Sequence, residues 1–258
     1  MSERQSWRKD WTFRLVARIA ILVAWTLRWR FDTDGVEHVR ERGGAVLAWN
    51  HHSYLDPGVI AWGPYRHLGR PVRFLAKEGL FDKPGLGWIL RSSGQISVAR
   101  ASPAGRREAF EAAVMRLRAG ELVAVAPEET ISESFDLLPF TTGAVRMAQE
   151  ADVPIVPTVA WGAHRVATKG RRVRLLLGLA VLVRYGRPRQ VARDDDPEAA
   201  TERLRETMAE MLDDVQRAYP VEPRPGEDWW VPRRLGGSAP PHHVVLRAHR
   251  EREAEWGG

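Results

Sequence analysis

Ala45-Val46-Leu47-Ala48-Trp49-Asn50-His51-His52-Ser53-Tyr54-Leu55-Asp56-Pro57 joins an apolar run to a polar turn carrying a histidine and a carboxylate. The run Ala45–Trp49 reads as a buried strand. His51 and Asp56 then form a pair able to turn a hydroxyl group into a nucleophile: the imidazole takes the proton, and the carboxylate fixes the tautomer and steadies the developing charge. If the hydroxyl belongs to the substrate, no serine or cysteine nucleophile is needed. Within a regular helix this spacing would leave the two side chains roughly 140° apart, so the chain must turn between them. Two local arrangements achieve that. Ser53 can cap a helix with Asp56 three residues on, or Asp56 can itself be the cap with Pro57 in the first turn. Both put the pair at a helix N-terminus, where backbone donors favour an anionic substrate.

Outward from this point, apolar runs alternate with helical segments. Val72–Ala76, Ile96–Ala99, Leu122–Ala126 and Ile155–Ala160 are short and continuous, as strands covered on both faces are. Ser102-Pro103 opens an intervening helix and Gly120 closes it. Thr142–Ala151 predicts another helix, and Pro197–Tyr219 a long amphipathic one. Leu175–Leu177 and Leu179–Val183 fit strands around Gly178. The pattern predicts an α/β domain over residues 35–220, with no internal repeat.

The chain has 258 residues, enough to bury a sizeable core. It contains no cysteine, which excludes disulfides, thiolate metal sites and thiol catalysis. A formal charge of +6, mostly arginine, points to an anionic partner, and 11 tryptophans favour an interface. Residues 1–34 predict an amphipathic, membrane-associating helix. Its apolar stretch Leu15–Leu27 is interrupted by Arg18 and falls short of the roughly 20 residues needed to span a bilayer. Arg8, Lys9, Arg14, Arg18, Arg28 and Arg30 suit contact with anionic headgroups, and no small-residue signal-peptide cleavage site is evident. Residues 221–258 form a Pro/Trp/Arg-rich extension with Trp229-Trp230-Val231-Pro232-Arg233-Arg234, regular only over Val244–Glu255. Its tryptophans either anchor it on the domain or make a second membrane contact.

Four blocks in order carry a family resemblance. Asn50-His51-His52-Ser53-Tyr54-Leu55-Asp56 is similar to the first signature block of the lysophospholipid acyltransferase superfamily, whose bacterial members include 1-acylglycerol-3-phosphate acyltransferases. Leu75–Phe81, Pro84–Gly87 and Gly94–Arg100 resemble its second block. Ala126-Pro127-Glu128-Glu129-Thr130 resembles its Pro-Glu-Gly-Thr block, and Val153–Pro157 its fourth. The resemblance implies a mixed central sheet flanked by helices. It also implies acyl transfer from acyl-CoA or acyl carrier protein to a lysophosphatidate-type acceptor at the cytoplasmic face of the membrane, by a peripheral or monotopic protein. The thioester is a co-substrate, and no cofactor is implied. His51 would be the base and Asp56 its partner. Arg100 and Lys77 would hold the acceptor phosphate. Glu128 would orient a cation or the acceptor glycerol, or pair with a nearby arginine; Thr130 would belong to the same site or cap the turn. The oxyanion donors would be backbone N–H groups near the motif helix.

The third block departs from the family pattern, with Glu129 for its glycine and Ile131 for its arginine. Since that arginine helps to hold the acceptor phosphate, the departure bears on the acceptor more than on the chemistry. No convincing metal-ligand spacing occurs, and the adjacent His51 and His52 alone do not make a zinc site. Nor does any zinc-finger, helix-turn-helix or aromatic-basic motif for nucleic acid.

Overall fold

The apolar runs of the sheet's centre become strands because they are buried from both sides, as β2, β5 and β6 are along their whole length. In the computed structural model, which describes residues 11–39, 42–100 and 102–257, the elements in chain order are α1 Trp11–Thr26, β1 Arg30–Asp34, β2 Ala45–Trp49, α2 Asp56–Leu68, β3 Val72–Lys77, α3 Leu86–Ser92 and β4 Ile96–Val98, followed by α4 Pro103–Arg118, β5 Leu122–Val125, α5 Gly143–Ala151, β6 Ile155–Trp161, β7 Ala180–Tyr185, α6 Pro197–Arg217 and α7 His242–Gly257. The seven strands form one sheet in the order β1-β7-β6-β2-β5-β3-β4. β2 to β6 are mutually parallel, whereas β7 runs antiparallel to β6 and carries β1 parallel to itself. The sheet is mixed, as expected.

Alternation along each strand divides the core into two layers. Val46, Ala48, Val123, Val125, Ile155 and Val159 face α4, α5 and α6, while Leu47, Trp49, Leu122, Ala124, Val156 and Ala160 face α2 and the inner side of α1. The helices start where their caps dictate. The Ser102 side chain accepts from Gly105 N–H ahead of Pro103, and the Asp196 carboxylate accepts from the N–H groups of Glu198 and Ala199 ahead of Pro197. Pro64 lies inside α2, so it cannot donate to the Ile60 carbonyl. The Tyr185 hydroxyl takes that place, donating to Ile60 O at 2.9 Å and accepting from Gly63 N–H at 3.2 Å. A Cβ at residue 63 would stand 2.6 Å from that hydroxyl, so only glycine fits.

Two expectations change, and one left open is decided. The helix assigned to residues 1–34 ends at Thr26, and Arg30–Asp34 joins the sheet as its edge strand, with Phe31 stacked on Trp62 of α2 at 3.7 Å. Residues 1–10 of that assignment, with Arg8 and Lys9, lie outside the described residues. Second, Leu175–Leu177 is not a strand. The segment runs outside the sheet, where its backbone binds the end of α1: Leu176 O accepts from the Trp29 indole at 2.8 Å, and Gly178 N–H donates to Leu27 O at 2.8 Å. Third, the C-terminal extension packs on the domain, with Trp230, Ala239 and Val245 buried and Trp229 against the larger core layer. Trp229 and Trp230 are packing anchors. Among the described residues no helix is long and apolar enough to cross a membrane.

Candidate active site

The five parallel strands end at one edge of the sheet, so the segments following them gather there. From β2 the chain winds through β3 and β4 to β5 on one side, then crosses to β6 on the other. β2 therefore lies at the change of direction, where open α/β sheets hold ligands. Asn50 fastens that end. Its side chain accepts from Ala160 N–H at 2.7 Å and donates to Ala160 O at 3.0 Å, extending the β2–β6 pairing by side chain once the ladder has ended.

His51 and Asp56 do converge. His51 Nδ1 lies 3.1 Å from Asp56 Oδ2, and the ring stands edge-on to Trp49 with centroids 4.7 Å apart. Nδ1 thus carries the proton toward the carboxylate, which leaves Nε2 as the basic edge. Asp56 is buried, whereas the His51 side chain is 21% exposed. Neither expected cap forms, because Leu55 occupies the cap position without a side-chain bond. Asp56 reaches backwards instead: Oδ2 also accepts from His52 N–H at 2.8 Å and Ser53 N–H at 2.7 Å, closing the turn on itself. Burial raises the Asp56 carboxyl above its ordinary 3.8, opposed by the His51 hydrogen bond and charge and by these two amides.

The rest of the turn is held from two sides. Ser53 Oγ donates to Ala167 O at 2.7 Å, Tyr54 N–H donates to the same carbonyl at 3.2 Å, and Thr168 Oγ1 donates to His52 O at 2.7 Å. The His52 ring turns away from His51, into a buried nest of Phe135, Trp161 and His164. Burial first, then His164 and His51, lowers its pKa well below 6.5 and keeps it neutral.

Both carboxylate oxygens of Glu128 face backbone amides. The residue is buried, and its two oxygens accept from backbone: Oε1 from His51 N–H at 2.8 Å and Oε2 from Leu138 N–H at 2.9 Å. Burial lifts it to about 8, opposed by those two amides and reinforced by the Asp56 charge. It is therefore a positioning residue, neither a cation orienter nor an arginine partner. No residue-type signal distinguished that role, because it depends on which amides point at the carboxylate. Nor did sequence assign roles to Asn50 and Thr168; Asn50 at least lay within the recognised block.

Residues 30–161, about half of the chain, match the family described as Acyltransferase. The chain belongs to the acyltransferase family. Relatives include a chloroplastic 1-acyl-sn-glycerol-3-phosphate acyltransferase of Brassica napus, 27% identical over 55% of this chain and 40% of that protein. A 1-acyl-sn-glycerol-3-phosphate acyltransferase of Limnanthes alba is 31% identical over 59% of this chain and 53% of that protein. The chain thus spans about half the length of these curated relatives. The crystal structure of the 1-acyl-sn-glycerophosphate acyltransferase PlsC from Thermotoga maritima superposes with a TM-score of 0.66 over 81% of each chain at 23% identity, which shows a shared fold.

The other site residues expected from sequence lie along the same edge. Lys77 is the exposed last residue of β3. Arg100 follows β4, and its guanidinium donates to the Glu129 carbonyl. Glu128 and Glu129 are neighbours, so one short turn contacts both His51 and Arg100. Thr130 lies in that turn, its N–H bonded to Glu128 O at 2.7 Å. Glu129 adopts the left-handed conformation, φ 54°, that glycine takes at least cost. Ile131 is buried, so the third block presents no cation at that position.

The backbone amides of the motif turn are occupied. The N–H groups of His51, His52, Ser53, Tyr54 and Leu55 are committed to Glu128, Asp56, Asp56, Ala167 and the Ser53 hydroxyl respectively.

Proposed function

We propose that the chain transfers a fatty acyl group from acyl-CoA or acyl carrier protein to the free hydroxyl of 1-acylglycerol 3-phosphate, giving phosphatidate. The observation that carries this reading is the His51–Asp56 pair, with Nδ1 at 3.1 Å from the carboxylate and the imidazole partly exposed. The names of the relatives support the acceptor. Nε2 takes the hydroxyl proton as the acceptor oxygen bonds to the thioester carbonyl carbon, and Asp56 stabilises the resulting imidazolium. Collapse of the tetrahedral intermediate breaks the C–S bond and expels the thiolate, which receives the proton back from Nε2. All atoms balance without a further reactant, and the step needs no cofactor. Lys77 and Arg100 are the cations available to the acceptor phosphate. The outward apolar face of α1 supports peripheral or monotopic attachment at the cytoplasmic face of an anionic membrane.

A second reading has its own observation. Ile131 is buried where the family's arginine would stand, and Glu129 adds a carboxylate beside it. Both favour another hydroxyl acceptor, such as glycerol 3-phosphate, a lysophospholipid or a glycolipid. Thiol release by purified protein with long-chain acyl-CoA and lysophosphatidate in mixed micelles, beside His51→Ala, separates these. Turnover abolished by the substitution is the expected result, and turnover that survives it would overturn the mechanism. A folded wild type that is inactive with lysophosphatidate but active with another of these acceptors would establish the second reading.

A further inference from the structure

Segment 171–177 runs along the protein surface with Val173, Leu175 and Leu177 exposed to 70%, 78% and 76%. Side chains this apolar at alternate positions normally line a strand interior, yet this segment pairs with no strand. Its backbone is instead tied to the end of α1 through Leu176 and Gly178. α1 is apolar on its outward side as well: Trp11, Leu15, Ile19 and Leu22 recur at helical spacing and are exposed. At its other end, Trp11 meets the exposed Trp88 of α3, ring centroids 6.0 Å apart. One apolar surface thus runs along the helix, some 24 Å at 1.5 Å per residue, with segment 171–177 at one end and α3 at the other.

The charge of this surface identifies its occupant. Residues 11–31, 84–95 and 162–192 contain no aspartate or glutamate, while arginines interrupt each stretch. Two arginines of the segment brace it: Arg174 pairs with Glu227 at 3.0 Å, and Arg171 lies over the Trp229 ring at 4.5 Å. A second copy of the chain would set arginine against arginine across a two-fold axis, and that repulsion disfavours self-association. A layer that is apolar below and anionic above satisfies both features, with side chains inserted at the acyl boundary and guanidinium groups among headgroups.

We propose that segment 171–177 inserts into an anionic phospholipid surface as a second contact, continuous with the outward face of α1. This inference rests on the reading of the substrate as a membrane lipid and extends it. The segment begins directly after Ala167 and Thr168, which hold Ser53, Tyr54 and His52, so docking it sets the catalytic turn beside the bilayer.

The chain contains no cysteine, so Leu175→Cys can carry a single environment-sensitive fluorophore on otherwise unaltered protein. Vesicles of phosphatidylcholine and phosphatidylglycerol should shift its emission to the blue, whereas a label at Glu111→Cys on α4 should not respond. In parallel, replacing Val173, Leu175 and Leu177 together by serine should weaken partition into those vesicles by about a hundredfold, with an unchanged circular dichroism melt showing the fold intact. An unshifted label at 175, or undiminished partition of the folded triple variant, overturns the inference. So does a dimer that forms without vesicles and is dissolved by the same substitutions. Neither readout uses turnover, so a lack of acyl transfer would count against the proposed function alone.

Discussion

Glu128→Gln changes one atom and separates two roles for this carboxylate. In the wild type each oxygen faces a backbone N–H, at 2.8 Å from His51 and 2.9 Å from Leu138, in a buried site. Even a protonated acid keeps a lone pair toward both amides. Glutamine replaces one acceptor by an NH2 donor, so one of the two N–H groups loses its partner out of reach of water. An unsatisfied buried donor costs about 1–3 kcal/mol. The expected destabilisation is therefore about 2 kcal/mol, read from urea midpoints. If the His51 amide is the group released, the turn relaxes around the base; kcat should then fall roughly 10- to 100-fold with the acceptor KM nearly unchanged. The wild-type pH dependence checks the same residue. A carboxyl raised from 4.5 to about 8 in the folded state holds more protons folded than unfolded across that window, so its contribution to stability declines as pH rises from about 4.5 to about 8. Glu128→Gln should flatten that part of the slope. A variant with wild-type stability and kcat but a raised acceptor KM would refute the positioning role and restore Glu128 to the substrate.

Further substitutions probe the other elements. Asp56→Asn keeps an oxygen for the His52 and Ser53 amides but loses the charge facing His51, so kcat should drop by roughly 10²- to 10⁴-fold with the fold retained, measured as thiol release. Glu129→Gly relieves a left-handed backbone and should raise stability by about 1 kcal/mol, a melting temperature about 2–4 °C higher; an unchanged melt would show that Glu129 sits there without strain. Trp230→Ala empties a buried position and should cost about 3–5 kcal/mol, which a detachable extension would not show in calorimetry.

The parallel half of the sheet was legible because strands covered on both faces are mostly apolar: β2 to β6 each fall on a short, largely apolar run, interrupted by Arg73 in β3, Ser97 in β4 and Thr158 in β6. On the antiparallel side β7 was legible, since it falls on the expected run Leu179–Val183, but β1 was not. β1 is Arg-Phe-Asp-Thr-Asp, an edge strand whose polar residues face solvent, so its pattern offers no buried run. Leu175–Leu177 offers the converse, an apolar run with no strand to pair with. Hydrophobicity reports that a side chain avoids water; it does not say whether protein or another phase receives it.

Within the site, chemistry was legible and support was not. His51 and Asp56 were readable because acid–base work restricts the residue types and the turn restricts their spacing. Glu128 looked like a substrate contact because a carboxylate in a functional block ordinarily is one. Its actual partners are two amides, one of them belonging to His51 itself, and amide direction is set by how β2 and β5 end side by side. The same geometry accounts for the occupied amides of the motif turn. A loop that spends its N–H groups holding the base in place has none left for the oxyanion, so rigid placement of His51 and stabilisation of the intermediate must come from different segments. Lys77 at the end of β3 and the turn at residues 129–132 are the neighbouring segments at that edge. A kcat loss in Lys77→Met with the acceptor KM retained would assign the intermediate to Lys77, whereas a raised KM alone would leave it holding the acceptor phosphate.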